Sequence, residues 1–492
     1  MKRIFVVTMA AMLVLSIAGP ALAVDLAVKG EWDFAFGWSG NRNFRDHHNR
    51  NGGDPDHFIA RQRFRTQIDF IASEQLKGVL MFEIGDIDWG RDEGKNGPGS
   101  GGGLDSDGVN VETKLAYLDW MIPETDIHIR MGIQEVALPS ATGFGNPVLN
   151  SDVAGIVASM PINDMFSIIA LWVRPFDRYD DDNNDDWGRS RNLADEMDMF
   201  ALAMPITGEG WAVTPWSAYS RMGSASGALE YVTDYNSYMN DRDMEIRGGD
   251  TAANVWWAGL GFELAMFEPL TFAMDAMYGH MSRVSFDLVD WGQGRIYGEN
   301  VGTSGWFIDA SLNYQLDWGT PGIFGWWSSG DGENAIDSGK YGRMPAIGFD
   351  NGFAPSTFGT PGGFSIGTDT VLSATALGTW GIGLQIADMS FIEDLTHTVR
   401  AIYYRGTNDH ELVENKGIQP LPLSGEVIYL TDKDWALEIN FDHSYQIYEN
   451  LSAHIEAGYI RLKLDEDIWD NVDGYDGTKD AWKAQLLFQY KF

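Results

Sequence analysis

The chain closes on Trp482-Lys483-Ala484-Gln485-Leu486-Leu487-Phe488-Gln489-Tyr490-Lys491-Phe492. Successive side chains of an extended strand point to opposite sides, so Trp482, Ala484, Leu486, Phe488, Tyr490 and Phe492 share one face. Lys483, Gln485, Gln489 and Lys491 share the other, and only Leu487 breaks the pattern. A strand with an aromatic, apolar face and a charged, polar face suits a wall between lipid and water.

The same period of two recurs along the chain in segments of about ten residues, the length a tilted transmembrane strand needs. Trp306, Ile308, Ala310, Leu312, Tyr314 and Leu316 alternate with Phe307, Asp309, Ser311, Asn313 and Gln315, a mostly polar set. Likewise Leu372, Ala374, Ala376, Trp380, Ile382, Leu384 and Ile386 oppose Ser373, Thr375, Thr379 and Gln385. One face of each segment is expected to meet lipid and the other water.

The connections alternate in length. Short turns stand at Ser73-Glu74-Gln75, Pro123-Glu124-Thr125, Pro161-Ile162-Asn163-Asp164, Phe267-Glu268-Pro269 and Tyr448-Glu449-Asn450. Long polar loops cover residues 39–57, 90–110, 177–195, 223–252, 330–371, 406–434 and 465–480. This rhythm predicts an all-β, antiparallel transmembrane β-barrel with short periplasmic turns and long extracellular loops. Counting segments gives about eighteen strands, with sixteen as the alternative. A barrel of about that size leaves an aqueous channel, whereas eight strands would fill with side chains.

The N-terminus carries Lys2 and Arg3, an apolar run from Ile4 to Ala18, and Ala21-Leu22-Ala23, the pattern of a cleaved signal peptide. Residues 1–23 are therefore read as a leader and residues 24–492 as one barrel domain, destined for the outer membrane. Beyond the leader no stretch reaches the roughly 18 consecutive apolar residues of a membrane-spanning helix. There is no cysteine, so neither disulfides nor thiolate metal sites contribute. Net charge is −37, and −39 once Lys2 and Arg3 leave with the leader, which argues against nucleic acid as a partner.

A large secreted all-β sandwich would also alternate. Against it stand the aromatics near strand ends, the pairing of long loops with short turns, and the aromatic last residue.

The closing run through Tyr490-Lys491-Phe492 resembles the C-terminal signal that the barrel-assembly machinery recognises in outer-membrane barrels. The chain as a whole resembles the homotrimeric outer-membrane porins of sulfate-reducing bacteria. That similarity rests on Leu115-Ala116-Tyr117-Leu118-Asp119-Trp120, Ile129-Arg130-Met131-Gly132 and Gly325-Trp326-Trp327-Ser328-Ser329-Gly330-Asp331-Gly332. It implies a homotrimer and passive diffusion of small hydrophilic solutes through each subunit. In porins of this general kind the third long loop folds into the barrel. Here that loop falls between about Glu135 and Asp152, with Pro139, Gly143, Gly145 and Pro147, and is short for the role.

Phe58, Ala60, Phe64, Ile68 and Phe70 oppose Arg61, Arg63, Arg65, Gln67 and Asp69. Charge on the lipid face near the midplane would cost about 2–4 kcal/mol per group, so the arginines are expected to face the lumen. Ile127, Ile129, Met131 and Ile133 similarly send His128, Arg130 and Gln134 inward, and Lys77 and Glu83 lie between the two segments in sequence. A basic ladder facing loop carboxylates such as Glu135 and Asp152 would create a transverse field and set ion preference. The plainer reading pairs the arginines with Glu31, Asp33, Asp69 or Glu83 across strands, without control of transport.

The acidic run Asp180-Asp181-Asp182-Asn183-Asn184-Asp185-Asp186 and the cluster Asp465, Glu466, Asp467, Asp470, Asp473 and Asp476 could bind Ca²⁺, but neither has EF-hand spacing. Solvated loop tips, bridged by divalent ions to lipopolysaccharide, are the preferred reading. His47, His48 and His57 near Asp54 and Asp56 are a similarly weak suggestion. Gly97-Pro98-Gly99-Ser100-Gly101-Gly102-Gly103 lacks the Lys-Ser/Thr of a phosphate loop. With no H-E-x-x-H, G-x-S-x-G or cysteine nucleophile, an enzyme is not expected, nor is a cofactor.

The first expectation is a diffusion porin constricted by Arg61, Arg63, Arg65, His128 and Arg130 with partial closure by the third loop. The alternatives are a channel selective for sugars or oxyanions and, from another class, a structural or adhesive barrel working through its loops.

Overall fold

The computed structural model describes residues 24–41, 44, 57–91, 99–104, 111–177, 196–224, 226, 228, 244–248, 251–290, 295–347, 376–416, 430–469 and 478–492. The predicted leader, the run at 180–186, residues 470–476, and His47, His48, Asp54 and Asp56 lie outside them.

Eighteen strands close into one antiparallel barrel. They are β1 (Asp25–Gly40), β2 (His57–Ser73), β3 (Leu76–Trp89), β4 (Val111–Met121), β5 (His128–Ala137) and β6 (Asn150–Asn163). Next come β7 (Phe166–Asp177), β8 (Glu196–Ala203, resuming over Ile206–Gly208), β9 (Trp211–Gly223), β10 (Ala252–Phe267), β11 (Leu270–Asp290) and β12 (Arg295–Tyr314). The last are β13 (Thr320–Ser328), β14 (Thr379–Ile392), β15 (Leu395–Gly406), β16 (Trp435–Tyr448), β17 (Leu451–Lys463) and β18 (Ala481–Lys491). Short segments Gly99–Gly102, Met244–Gly248 and Lys340–Tyr341 add to the sheet from the loops. No helix among the described residues is long and apolar enough to cross a membrane.

Each strand pairs with its neighbour in sequence, and β1 closes the ring by pairing with β18 from Glu31↔Lys491 to Gly40↔Trp482. Closure removes the open edges that a membrane would not tolerate. Phe492 completes the seam: its N–H donates to Gly30 O at 3.0 Å and its carbonyl accepts from Gly30 N at 2.9 Å. The predicted outer face of β18 is outside, with Trp482, Tyr490 and Phe492 exposed, while Leu487 turns inward and is buried beside Ala35.

Two details depart from the sequence reading. The strand expected from Leu372 begins at Thr379: residues 372–375 lie outside the described set, and Ala376 precedes the strand, buried, at a φ of 52°. The inner face is also not uniformly polar. Phe307, assigned by alternation to the water side, is fully buried, as are Met197, Met199, Trp257, Met277 and Tyr404. These residues form one continuous apolar core inside the barrel, together with Leu138, Val148 and Leu149 of the third loop and Tyr341, Met344, Leu412, Val413, Leu430 and Trp469 of later loops. Period two separates inside from outside but does not say whether the inside is wet. Loops that fold inward take this part of the lumen away from water, and burial then favours apolar side chains.

Candidate functional site: the lumen wall and its constriction

The lumen has a charged side and an apolar side. On the charged side, β1–β3 place Arg61, Arg63 and Arg65 in alternation, and each meets carboxylates of a neighbouring strand. Arg61 Nε donates to Asp88 at 2.6 Å, and its Nη1 lies 3.4 Å from Asp86. Arg63 stands 3.7 Å from Asp33 and 3.8 Å from Asp86. Arg65 donates to Glu83 at 2.5 Å and lies 3.6 Å from Glu31. These contacts follow from register, because Glu31↔Arg65, Asp33↔Arg63, Arg65↔Glu83 and Arg61↔Asp88 are cross-strand partners. The wall expected to be basic is therefore a lattice of alternating sign, in which five carboxylates neutralise three guanidinium groups.

The lattice continues around the barrel. Asp119, 5% exposed, takes Lys77 Nζ at 3.6 Å and His128 Nε2 as partners. Arg130 forms no ion pair with the described residues; its guanidinium lies 5.1 Å from the centre of the Tyr117 ring. Gln134 is fully buried and donates to the backbone carbonyl of Gly155 at 3.1 Å, a structural role rather than a pore-lining one. Glu135 and Asp152, expected in the constriction loop, are strand residues: the β5–β6 ladder pairs them directly and continues to Ala137↔Asn150. Asp152 also pairs with Lys114 Nζ. A recess of about 460 Å³ brings Arg65, Gln67, Lys114, Glu135, Asp152 and Lys491 together. Tyr490 and Phe492 sit on the outer face with ring centres 6.0 Å apart, and Phe492 stacks on Phe64 at 6.1 Å.

The third loop, residues 138–149, which the sequence marks as short for folding into the barrel, folds inward. It reaches β11–β13. Ala141 N donates to both oxygens of Asp275 at 2.9 and 2.8 Å, Thr142 N donates at 3.0 Å, and Ser140 Oγ at 3.3 Å. Thr142 Oγ1 contacts Asp275 at 3.1 Å and also Asp309. Phe144 packs on Phe324 of β13 with ring centres 5.1 Å apart. Room for the crossing exists at Gly261 on β10, where an added Cβ would stand 3.0 Å from Asp275 Oδ1 and 3.5 Å from Ala141 Cβ. The buried Asn146 braces the loop from within, donating to Pro139 O at 2.8 Å and accepting from Val148 N at 2.9 Å.

A second inward segment, Ser329–Ile347, locks onto the first: Ile347 N donates to Val148 O at 2.9 Å. It is held by the buried ion pair of Arg343 and Asp331 at 2.8 Å and by Trp257 Nε1, which donates to Pro345 O at 2.7 Å. The sequence reading had not singled out Asp275, Thr142, Trp257 or Arg343. One signal was available: Asp275 and Asp309 are acids on inward faces that also hold Ala273, Met277, Met281 and Phe307, and a carboxylate beside such neighbours needs a partner.

No family model and no curated protein matches the sequence. Among solved structures the barrel is similar to the outer membrane protein OprD of Pseudomonas aeruginosa, with TM-score 0.52 and 10% identity over 96% of this chain and 95% of that one. It is similar to Pseudomonas aeruginosa OpdQ (0.50, 13%, 95% and 99%) and to Acinetobacter baumannii OccAB1 (0.50, 10%, 96% and 99%). At such identity the shared property is the fold, and the outward apolar band of this chain agrees with it. The fold is that of a porin-like outer-membrane β-barrel, crossing the membrane many times.

Proposed function

We propose that the protein is a passive outer-membrane channel for small hydrophilic solutes that selects among them, rather than a wide general diffusion pore. The observation that carries this is the third loop, anchored on Asp275 and Asp309 and tied to the second inward segment. The passage left to solutes runs along the charged β1–β5 side, where a lattice of both signs favours solutes that themselves carry charge or many hydroxyl groups, oxyanions and sugars included. Reconstitution in a planar bilayer tests this. Stepwise openings with saturable block by one solute class are expected; large openings indifferent to solute would restore the general diffusion reading, and a folded barrel without current would favour the structural or adhesive one.

Export by the leader at residues 1–23, delivery to the barrel-assembly machinery through Tyr490 and Phe492, and loop contacts with lipopolysaccharide belong to the same proposal. So does a homotrimer. Besides the family resemblance, support comes from β1, which turns Trp32, Phe34, Phe36 and Trp38 outward in unbroken succession, whereas lipid-facing strands concentrate aromatics at the two interfaces. Chemical cross-linking in native outer membranes should yield three-subunit species that Phe36→Ser weakens; monomers alone would reject the assembly.

A further inference from the structure

Asp275 and Asp309 are register partners on β11 and β12, 2% and 1% exposed. Among the described residues neither forms an ion pair with lysine, arginine or histidine. Among the described residues the neighbouring strands supply no positive charge either. Gly261 and Glu263 stand on β10, the latter opposite Ala273 and so a further acid, and Trp326 of β13 stands opposite Asp309. The loop from Leu138 to Leu149 contains no titratable side chain.

The hydrogen bonds around the pair are unequal. Asp275 receives two backbone N–H groups and the Ser140 hydroxyl, as an ionised carboxylate would. Among the described residues Asp309 bonds only to the Thr142 hydroxyl, through one oxygen, and its other oxygen is buried without a partner. Thr142 Oγ1 lies between the two carboxyl groups and owns a single proton. It can donate to one of them; the other contact is bonding only if the second carboxyl donates back. Two adjacent carboxylates without a cation also resist simultaneous ionisation.

We infer that Asp309 carries a proton and donates it to Thr142 Oγ1, which in turn donates to ionised Asp275, so that this chain latches the constriction loop across the lumen. Asp275 and Asp309 are then positioning residues for the channel. Loss of the proton to bulk base leaves two facing carboxylates; Asp275 keeps its Ala141, Thr142 and Ser140 donors, Asp309 loses its bond to Thr142 Oγ1, and the loop is loosened at its contact with β12. This rests on the channel reading for its consequence, but not for the proton itself.

Two measurements separate the parts. Infrared spectra of the folded protein at neutral pH should show a protonated-carboxyl C=O band that Asp309→Asn abolishes and Asp434→Asn does not. In bilayers the wild type should gain a larger conductance state as pH is raised, Asp309→Asn should lose that pH dependence while keeping the small conductance, and Thr142→Val should populate the large state at every pH. An infrared spectrum unchanged by Asp309→Asn overturns the latch, as does a band replaced by dependence on an added metal cation, or a variant that titrates like the wild type. Absence of current in every protein would instead reject the channel reading, with the infrared result still deciding the proton.

Discussion

The indole Nε1 of Trp469 donates to both carboxylate oxygens of Asp434, at 3.0 and 3.1 Å, and neither side chain is exposed. Asp434 also accepts from Thr431 N at 2.7 Å, Thr431 Oγ1 at 2.6 Å and Asp465 N at 2.8 Å, which ties the loop before β16 to the loop after β17. Burial pushes its pKa up to about 6 from 3.8, against the opposing pull of these donors.

A carboxyl group whose folded pKa is raised favours the fold fully below its unfolded value and loses that contribution as pH rises through the folded one. The window runs from 3.8 to about 6, and the shift corresponds to roughly 3 kcal/mol. Hydrogen exchange at the Thr431 and Asp465 amides, corrected for intrinsic rates, should therefore show stronger protection at acid pH than above neutrality. Equal protection on both sides would contradict the assignment.

Arg63 should matter more to stability than Arg130. Its removal leaves Asp33, 1% exposed, without its guanidinium partner, and breaking a buried pair from one side costs about 3–5 kcal/mol. Arg130 leaves no carboxylate behind among the described residues. Urea titrations followed by the heat-modifiable gel shift should place Arg63→Gln at a clearly lower midpoint than Arg130→Gln.

Adjacent positions on β14 separate lipid from lumen. Leu384 is 60% exposed on the outer face, while Gln385 is half-buried and donates to Asn313 at 3.1 Å. Leu384→Arg should cost about 2–4 kcal/mol, whereas Gln385→Arg should leave the folding midpoint within about 1 kcal/mol and shift the reversal potential in a salt gradient instead. A reversed order would invert the facing of this strand.

Trp257→Phe should loosen the second inward segment. The change keeps most of the buried ring but leaves Pro345 O without its donor, a loss of about 1–3 kcal/mol. Noisier single-channel currents with an unchanged gel shift are expected; a quiet, wild-type trace would place the segment away from the conducting path.

The sequence by itself determined the barrel. Alternation as in Trp482 to Phe492 states which face meets lipid, and the contrast between Ser73-Glu74-Gln75 and a loop such as 39–57 states which end is which. Both are local properties, read from neighbours along one strand. It also placed Arg61, Arg63 and Arg65 inward, since lipid leaves them no other side. What only the tertiary structure decided is whom those residues meet. Whether Arg65 faces water or Glu83 depends on the register between strands, where a shift of one residue exchanges the two faces. Whether Phe307 lines a wet channel or a packed core depends on loops distant in sequence, and Thr142 reaches Asp309 across 167 residues of chain. Period two carries no information about contacts of that range, so the inward path of the third loop and its bonds to Asp275 and Asp309 belong to the tertiary structure alone.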